Sequence, residues 1–377
     1  MRVVIATRRL AHPGGSETFV LTVAEALAQL GHDVVLFTHE FGAIAEEAQR
    51  RQLPVKTQQR QLPVDVDATI ALDRSLAIDM AIHYPRAIRL YAMHTSLEEW
   101  LPPPEPGIVF ATLAPNARFE AIARGCVGAG AVIRMRQPID IARFSPRAWA
   151  GEKPRNVLLI GNYSGTEGQR ISRLKEAWGA FDLQWRQLGM PSPTVNPAEA
   201  MAHADIVVGY GRSIIEAMAC GRPAYVHEHS GSDGWVTHET YERLEADGFA
   251  GTAGRPHPEL STLKSDFAIY SPGLGRVGQD LVRIHHDARL VVAGIVQAIT
   301  ELSPASPPDR VGLYGLQRLA DSHMRAEAKA EGYRAEAKAT MALLKAASEA
   351  GRNVGLARRI ERRLRKFRKK LTGTRVS

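Results

Sequence analysis

Residues 204–226 read ADIVVGYGRSIIEAMACGRPAYV. Ile206-Val207-Val208 is a short continuous apolar run, the pattern of a strand buried on both faces of a parallel sheet. Gly209-Tyr210-Gly211 breaks the run, and from Ile214 to Cys220 apolar residues return at helical spacing. Gly221 stops that helix, Pro223 prevents its resumption, and Ala224–Val226 is apolar again. Strand, glycine turn, helix and strand make one βαβ unit. The turn leaves the first amides of the helix open, and a glycine there lets an anion approach without meeting a Cβ. Ser213 and Glu216 lie in the first turns of the helix. A carboxylate at Glu216 can accept from two neighbouring sugar hydroxyls, or pair with Arg212 four residues earlier.

The same rhythm extends in both directions. Val157–Ile160 is an apolar run ending at Gly161, followed by a helix around Ser172–Trp178. At the start of the chain, Val3–Ala6 reads as a strand, and a loop carries Pro13-Gly14-Gly15. Phe19, Leu21, Val23, Leu27 and Leu30 then read as a helix that Gly31 ends, before a strand at Asp33–Phe37. Strands are predicted at Ala68–Ala71, Ile88–Met93 and Ile108–Ala111, and helices at Ser75–Ile82, Ala117–Ala123 and 283–302. A polar break with Pro146 and Pro154 separates the halves. The expected architecture is α/β, with two Rossmann-like domains at 1–150 and 151–303 facing a cleft. A helical, basic C-terminal extension, 304–377, completes the expected architecture.

Composition narrows the function. The 377 residues are 45% apolar and 23% charged, enough for two cores in a soluble protein. The net charge of +8 is not spread evenly: residues 351–377 hold eleven Lys and Arg against Glu361, which leaves residues 1–350 slightly acidic. Within that tail Leu356, Ile360, Leu364, Phe367 and Leu371 form an apolar stripe among the cations. Such a stripe suits an anionic membrane surface or a solvated extension. A nucleic-acid partner is not expected, because no aromatic platform accompanies the charge. Cys126 and Cys220 make no disulfide framework, and no zinc or other metal site is expected. His285-His286-Asp287 does not make one, since adjacent helical side chains point apart. The opening MRVVIATRRL is too short an apolar stretch for a signal peptide, and Leu290–Ile299 is about half a membrane span, so a cytoplasmic location is expected, with membrane association through the tail. Neither a G-x-G-x-x-G after the first strand nor a P-loop is present, which disfavours a dinucleotide dehydrogenase or a P-loop enzyme.

Three stretches in order resemble GT-B glycosyltransferases, closest to the large retaining family that uses nucleotide-diphosphate sugars. They are GGSETFVLTVAEALAQLGHDVVLFT from Gly14, RQPIDIARFSP with Ile139, Asp140, Phe144 and Pro146, and GYGRSIIEAMACGRPAYV from Gly209. The resemblance spans about residues 1–300 and implies sugar transfer from a nucleotide-diphosphate donor to a glycan or lipid-linked acceptor hydroxyl, with no cofactor and no metal. It implies that Glu216 binds the nucleotide ribose, with the Gly209–Ser213 turn beneath the donor. Gly14 and Gly15 would face the phosphates, with Gly161 and Asn162 across the cleft from them. His94 would lie beside the donor sugar, or bond to backbone at a strand end. Gly231 would let a loop approach the donor, and Asp233 would reach sugar hydroxyls or serve only its own turn.

The departures carry equal weight. Asn162 and Glu167 stand where the family places an Arg and a Lys, and Val208 stands for the first acid of its paired motif. A leaving diphosphate carries two to three negative charges, and a helix N-terminus offers only about half a unit charge. Arg212 is expected to supply the missing cation as a catalytic residue, unless it simply pairs with Glu216; Arg8, Arg9 and Arg170 are further candidates. Two other functions fit the departures: a binding module that has lost catalysis, and a sugar-nucleotide epimerase.

Overall fold

The computed structural model describes residues 1–94, 103–105, 107–127, 132–146, 149–161, 166–189, 194, 196–228, 231–256, 258–302, 309–322, 324–326 and 329. Two units result, Met1–Leu313 and Tyr314–Ser377. In the second, residues 314–322 are helical, and the basic segment 351–377 lies outside the described residues.

The first sheet has seven strands: β1 (Arg2–Leu10), β2 (Asp33–Phe41), β3 (Val55–Lys56), β4 (Ala68–Ala71), β5 (Ile88–Ala92), β6 (Ala111–Ala114) and β7 (Val132–Arg134). All its pairs are parallel, in the order β3-β2-β1-β4-β5-β6-β7. The helices α1 (Gly15–Gln29), α2 (Ala43–Arg50), α3 (Arg74–His83) and α4 (Ala117–Val127) connect them. Parallel strands need such crossovers, and burial on both faces explains why Val3–Ala6 is continuously apolar and Ala68–Ala71 is apolar but for the buried Thr69. Gly31 ends α1 as predicted: it takes φ +83°, and the next amide, His32 N–H, closes on Leu27 O at 3.0 Å.

The second sheet comprises β8 (Asn156–Ile160), β9 (Gln184–Leu188), β10 (Ile206–Gly209), β11 (Ala224–Glu228) and β12 (Gly231–Trp235). Its order is β12-β11-β10-β8-β9, parallel except for β12 at the edge. Around it lie α5 (Thr166–Ala177), α6 (Ala198–Ala202), α7 (Arg212–Ala219), α8 (His238–Ala246), α9 (Leu260–Ala268) and α10 (Gly273–His285), and α11 (Ala288–Glu301) follows.

The structure corrects three details. The strand predicted at Ile108–Ala111 forms three residues later, as β6. The segment expected as a loop at 230–237 contains edge strand β12. The single helix expected over 283–302 is two helices, because Asp287 caps α11 by accepting the Arg289 N–H at 2.9 Å.

That break is where the chain returns to the first lobe. Val292, Ile295 and Ile299 of α11 pack in the core of the first sheet with Val20, Val23 and Leu27 of α1, whereas Ile139 and Phe144 pack in the second core. The lobes therefore exchange segments across the boundaries expected at 150 and 303. The two crossings run side by side, with Ile139 N–H on His286 O at 2.7 Å and Ala288 N–H on Ile139 O at 3.0 Å. His286 is fully buried between them, its ring within 2.8 Å of Gln137 O and 3.0 Å of the Tyr241 hydroxyl. Burial pushes its pKa down to about 3, so the neutral ring ties the two crossings together through both of its nitrogens.

Candidate functional site

In a doubly wound sheet, ligands bind beyond the carboxyl ends of the strands, where the winding direction reverses. In the second sheet that point lies between β8 and β10. A cavity of about 450 Å³ opens there, lined by Ile160 at the end of β8 and Gly161 beyond it, Leu188 and Gly189 at the end of β9, and Tyr210–Ser213 after β10. The facing wall comes from the first lobe: Pro13, Gly14 and Gly15, the α1 face bearing Thr18, Thr22 and Glu25, then Arg51, and Asp140 with Arg143 from the crossing segment. Thr18, Thr22 and Glu25 share one side of α1 because they are spaced by about one helical turn.

Two helix N-termini reach this cavity, each with a glycine at the cap and no side chain capping it: Gly14 for α1 and Gly211 for α7. Gly211 holds φ +60°, and a Cβ built on it would meet nothing within 4 Å, so the turn is open above it. Gly209 differs. An added Cβ would sit 2.7 Å from Ser213 Oγ and 2.9 Å from Ile160 O, so this glycine serves packing between β10 and β8 and is not among the lining residues. Ser213 lines the cavity while its hydroxyl donates to Tyr210 O at 2.8 Å, which holds the turn.

Glu216 also lines the cavity, with only 8% of its side chain exposed. Its Oε1 accepts from Arg212 Nε at 2.8 Å. Arg212 goes further: its two terminal nitrogens donate to Pro138 O at 2.9 Å and to Thr22 Oγ1 at 2.8 Å. One guanidinium thus joins Glu216 of the second lobe, the crossing segment and α1 of the first. Burial pushes the Glu216 carboxyl up, with the Arg212 charge opposing it, and pushes Arg212 down. Of the two expectations for Arg212, the pairing with Glu216 is the one observed, at the wall of the cavity. Its charge is balanced by Glu216, and it acts as a buried tie at the floor of the cleft.

Other predicted residues lie away from the cavity. Asp233 has a fully buried side chain that accepts the Ala253 and Arg255 amides at 2.9 and 3.2 Å. It fastens the 251–255 loop and is not among the residues lining the cleft cavity. Gly231 lies in β12 against that loop, where a Cβ would collide with Gly251 O and come within 2.8 Å of Arg255 O. His94 follows β5 at the carboxyl edge of the first sheet, half-buried, and is not among the lining residues. Asn162 lies outside the described residues.

Sequence reasoning missed Arg51, Arg143 and Glu25. Arg51 bridges Glu25 and Glu47, each at 2.8 Å, and Arg143 approaches Glu47 at 3.7 Å. Asp140 accepts the Ala142 and Arg143 amides at 3.0 and 3.1 Å, a local turn that aims the crossing segment at the cleft. Asp140 and Arg143 sit inside RQPIDIARFSP, a stretch whose pattern is visible in the sequence; nothing near Arg51 in sequence marks it. Every lining arginine is paired with a carboxylate, so the wall is polar but close to neutral. Among the described residues no cluster of His, Cys, Asp or Glu could hold a metal ion, and no helix is long and apolar enough to cross a membrane.

No protein-family model matches the chain, and no curated protein matches it in sequence. Solved structures do match in shape. HepE of Anabaena, solved with UDP and glucose, superposes with a TM-score of 0.57 at 13% identity over 80% of this chain and 100% of its own. A glycosyltransferase of Rickettsia africae gives 0.58 at 12% identity over 80% of this chain and 98% of its own. An alpha-glucosyltransferase solved with UDP and DNA gives 0.54 at 13% identity, over 80% and 99%. With two Rossmann-like lobes wound in this order around one cleft, the protein has the GT-B fold.

Proposed function

We propose that this protein is a glycosyltransferase that moves a hexosyl group from a nucleotide-diphosphate sugar to an acceptor hydroxyl on a glycan or lipid-linked chain. One observation carries the reading: two uncapped helix N-termini and a buried carboxylate face a single cavity between two lobes. The open amides suit a diphosphate, and Glu216 suits the paired hydroxyls of a ribose. The solved complexes of HepE and the alpha-glucosyltransferase with UDP support the same occupant. In this reading the donor is a substrate rather than a resident cofactor, and no metal takes part. A chelator is then expected to leave turnover unchanged.

The test is a panel of UDP-, GDP- and dTDP-sugars, read by calorimetry and by release of free nucleotide. Binding with nucleotide release is the expected result. A changed sugar still attached to nucleotide would mean epimerisation, and absence of any binding would leave only a scaffold. The basic stripe at 351–377 fits docking on an anionic cytoplasmic leaflet, where a lipid-linked acceptor would be presented. Removing residues 351–377 is expected to abolish flotation with vesicles containing phosphatidylserine. Equal flotation of the full and shortened chains would refute docking through this segment.

A further inference from the structure

Helix α8 ends in a backbone conformation that residues with side chains rarely adopt. Gly248 takes φ +73° and Phe249 takes φ +55°, so two left-handed residues stand in succession. The first is ordinary for a helix end: Gly248 N–H closes on Glu245 O and Phe249 N–H on Leu244 O, each at 2.8 Å. The second is not, because a bulky aromatic holds a positive φ only where its surroundings over-determine it. Phe249 is 1% exposed and packs in the second core with Tyr241 and Leu244. Its carbonyl accepts, at 2.8 Å, the N–H of Gly211, the glycine that caps α7 and lines the cavity.

The remaining surroundings come from the first lobe, which meets Glu245, Asp247 and Gly248 in turn. One terminal nitrogen of Arg134 donates to both Glu245 oxygens at 2.7 Å, and Arg118 lies 3.3 Å from the Asp247 carboxylate. Asn116 caps α4 by accepting the Phe119 N–H at 2.9 Å, and the Nδ2 side of its amide lies against Gly248. A Cβ on Gly248 would collide with Asn116 Nδ2 yet stand 3.8 Å from the Asn116 Cβ, an ordinary contact. A first-lobe side chain, a left-handed pair of residues and the glycine turn of the second lobe thus form one chain of contacts. Neither Asn116 nor Phe249 is among the residues lining the cavity.

Resting on the transferase reading, we propose that Asn116 is a positioning residue for the donor: braced against Gly248, it keeps the Phe249 carbonyl on the Gly211 amide and so fixes the turn from which α7 faces the cavity. It touches no substrate, and no bond is made or broken through it. Binding groups act only when held to within roughly 0.5 Å of their working geometry, which is why a brace outside the cavity matters.

The test is a double-variant cycle in the full chain. Gly248→Ala puts a methyl group where the Asn116 amide lies, and Asn116→Ser withdraws that amide while its hydroxyl still caps α4. Hydrogen exchange of the apoprotein, followed by NMR at the Gly211 amide, reads the turn directly. Protection there is expected to fall about tenfold in Gly248→Ala and about threefold in Asn116→Ser. Combining the two is expected to bring it back to within about threefold of wild type. Calorimetry with UDP, GDP and dTDP reads the donor site. The Kd of whichever binds wild type most tightly is expected to rise at least about tenfold in Gly248→Ala and to recover in the double variant. An alanine at φ +73° is strained on its own account, and Asn116→Ser cannot relieve that strain. A double variant no better than Gly248→Ala therefore overturns the proposal, as does a Gly248→Ala protein with unchanged protection at Gly211 or an unchanged Kd. Should the wild-type chain bind none of the three nucleotides, the transferase reading fails instead, while exchange at Gly211 still decides whether Asn116 sets the turn.

Discussion

Arg212→Met is expected to melt about 4–6 °C below the wild-type protein, a loss of about 3–5 kcal/mol. The cost arises chiefly from what is left behind. Glu216 is enclosed, and its one cationic partner at 2.8 Å is gone, so its charge would sit unpaired in a poorly solvated cavity floor. The variant also loses the bond to Thr22 that ties the second lobe to α1. The pH dependence has a definite sign. Without Arg212 the folded pKa of Glu216 rises further above its unfolded value, so the folded state binds the extra proton. The deficit should therefore be largest at neutral pH and shrink as the solution is acidified toward about pH 5. Thermal melts across that range check it; a deficit independent of pH would mean that packing, not the stranded charge, is responsible. The double variant Arg212→Met with Glu216→Gln should recover much of the stability, since it removes the pair together.

Glu216→Gln is the second large effect, and it falls on binding. A carboxylate that accepts from ribose hydroxyls contributes about 1.5–3 kcal/mol more than no partner, so the Kd for the preferred nucleoside diphosphate should rise roughly 10- to 100-fold. Calorimetry at fixed salt measures this. The deoxyribose form of the same nucleotide provides the internal control, because it should bind the wild-type protein more weakly and Glu216→Gln no more weakly than the ribose form. Equal preference for ribose in both proteins would place the ribose away from Glu216. Glu216→Gln also strands the Arg212 charge, so its fold must be checked by melting before affinities are compared.

Much of the architecture was legible in local pattern. Apolar runs such as Val3–Ala6 and Ile206–Val208 announced parallel strands, and Gly31 and Gly221 marked helix ends, because these depend on the preferences of neighbouring residues alone. The glycine turns at Gly14 and Gly211 were legible for the same reason, and the fold brings both to one cavity. Strands without such a pattern were not visible: β9 is Gln184–Leu188, a largely polar edge strand whose pairing with β8 is its main support.

What the chain order alone determined was the repeat of strand, turn and helix that yields two lobes, and the chemical character of the turns between them. Tertiary structure decided which charges are free. Arg212 looked like an unspent cation until Thr22, 190 positions away, and Pro138 came within hydrogen-bonding distance. Asp233 looked like a loop ligand until the amides of Ala253 and Arg255 enclosed it. α11 was assigned to the second lobe by its place in the chain and belongs to the first by its packing. Local preference is set over a few residues, whereas burial and charge pairing depend on partners that only folding brings together.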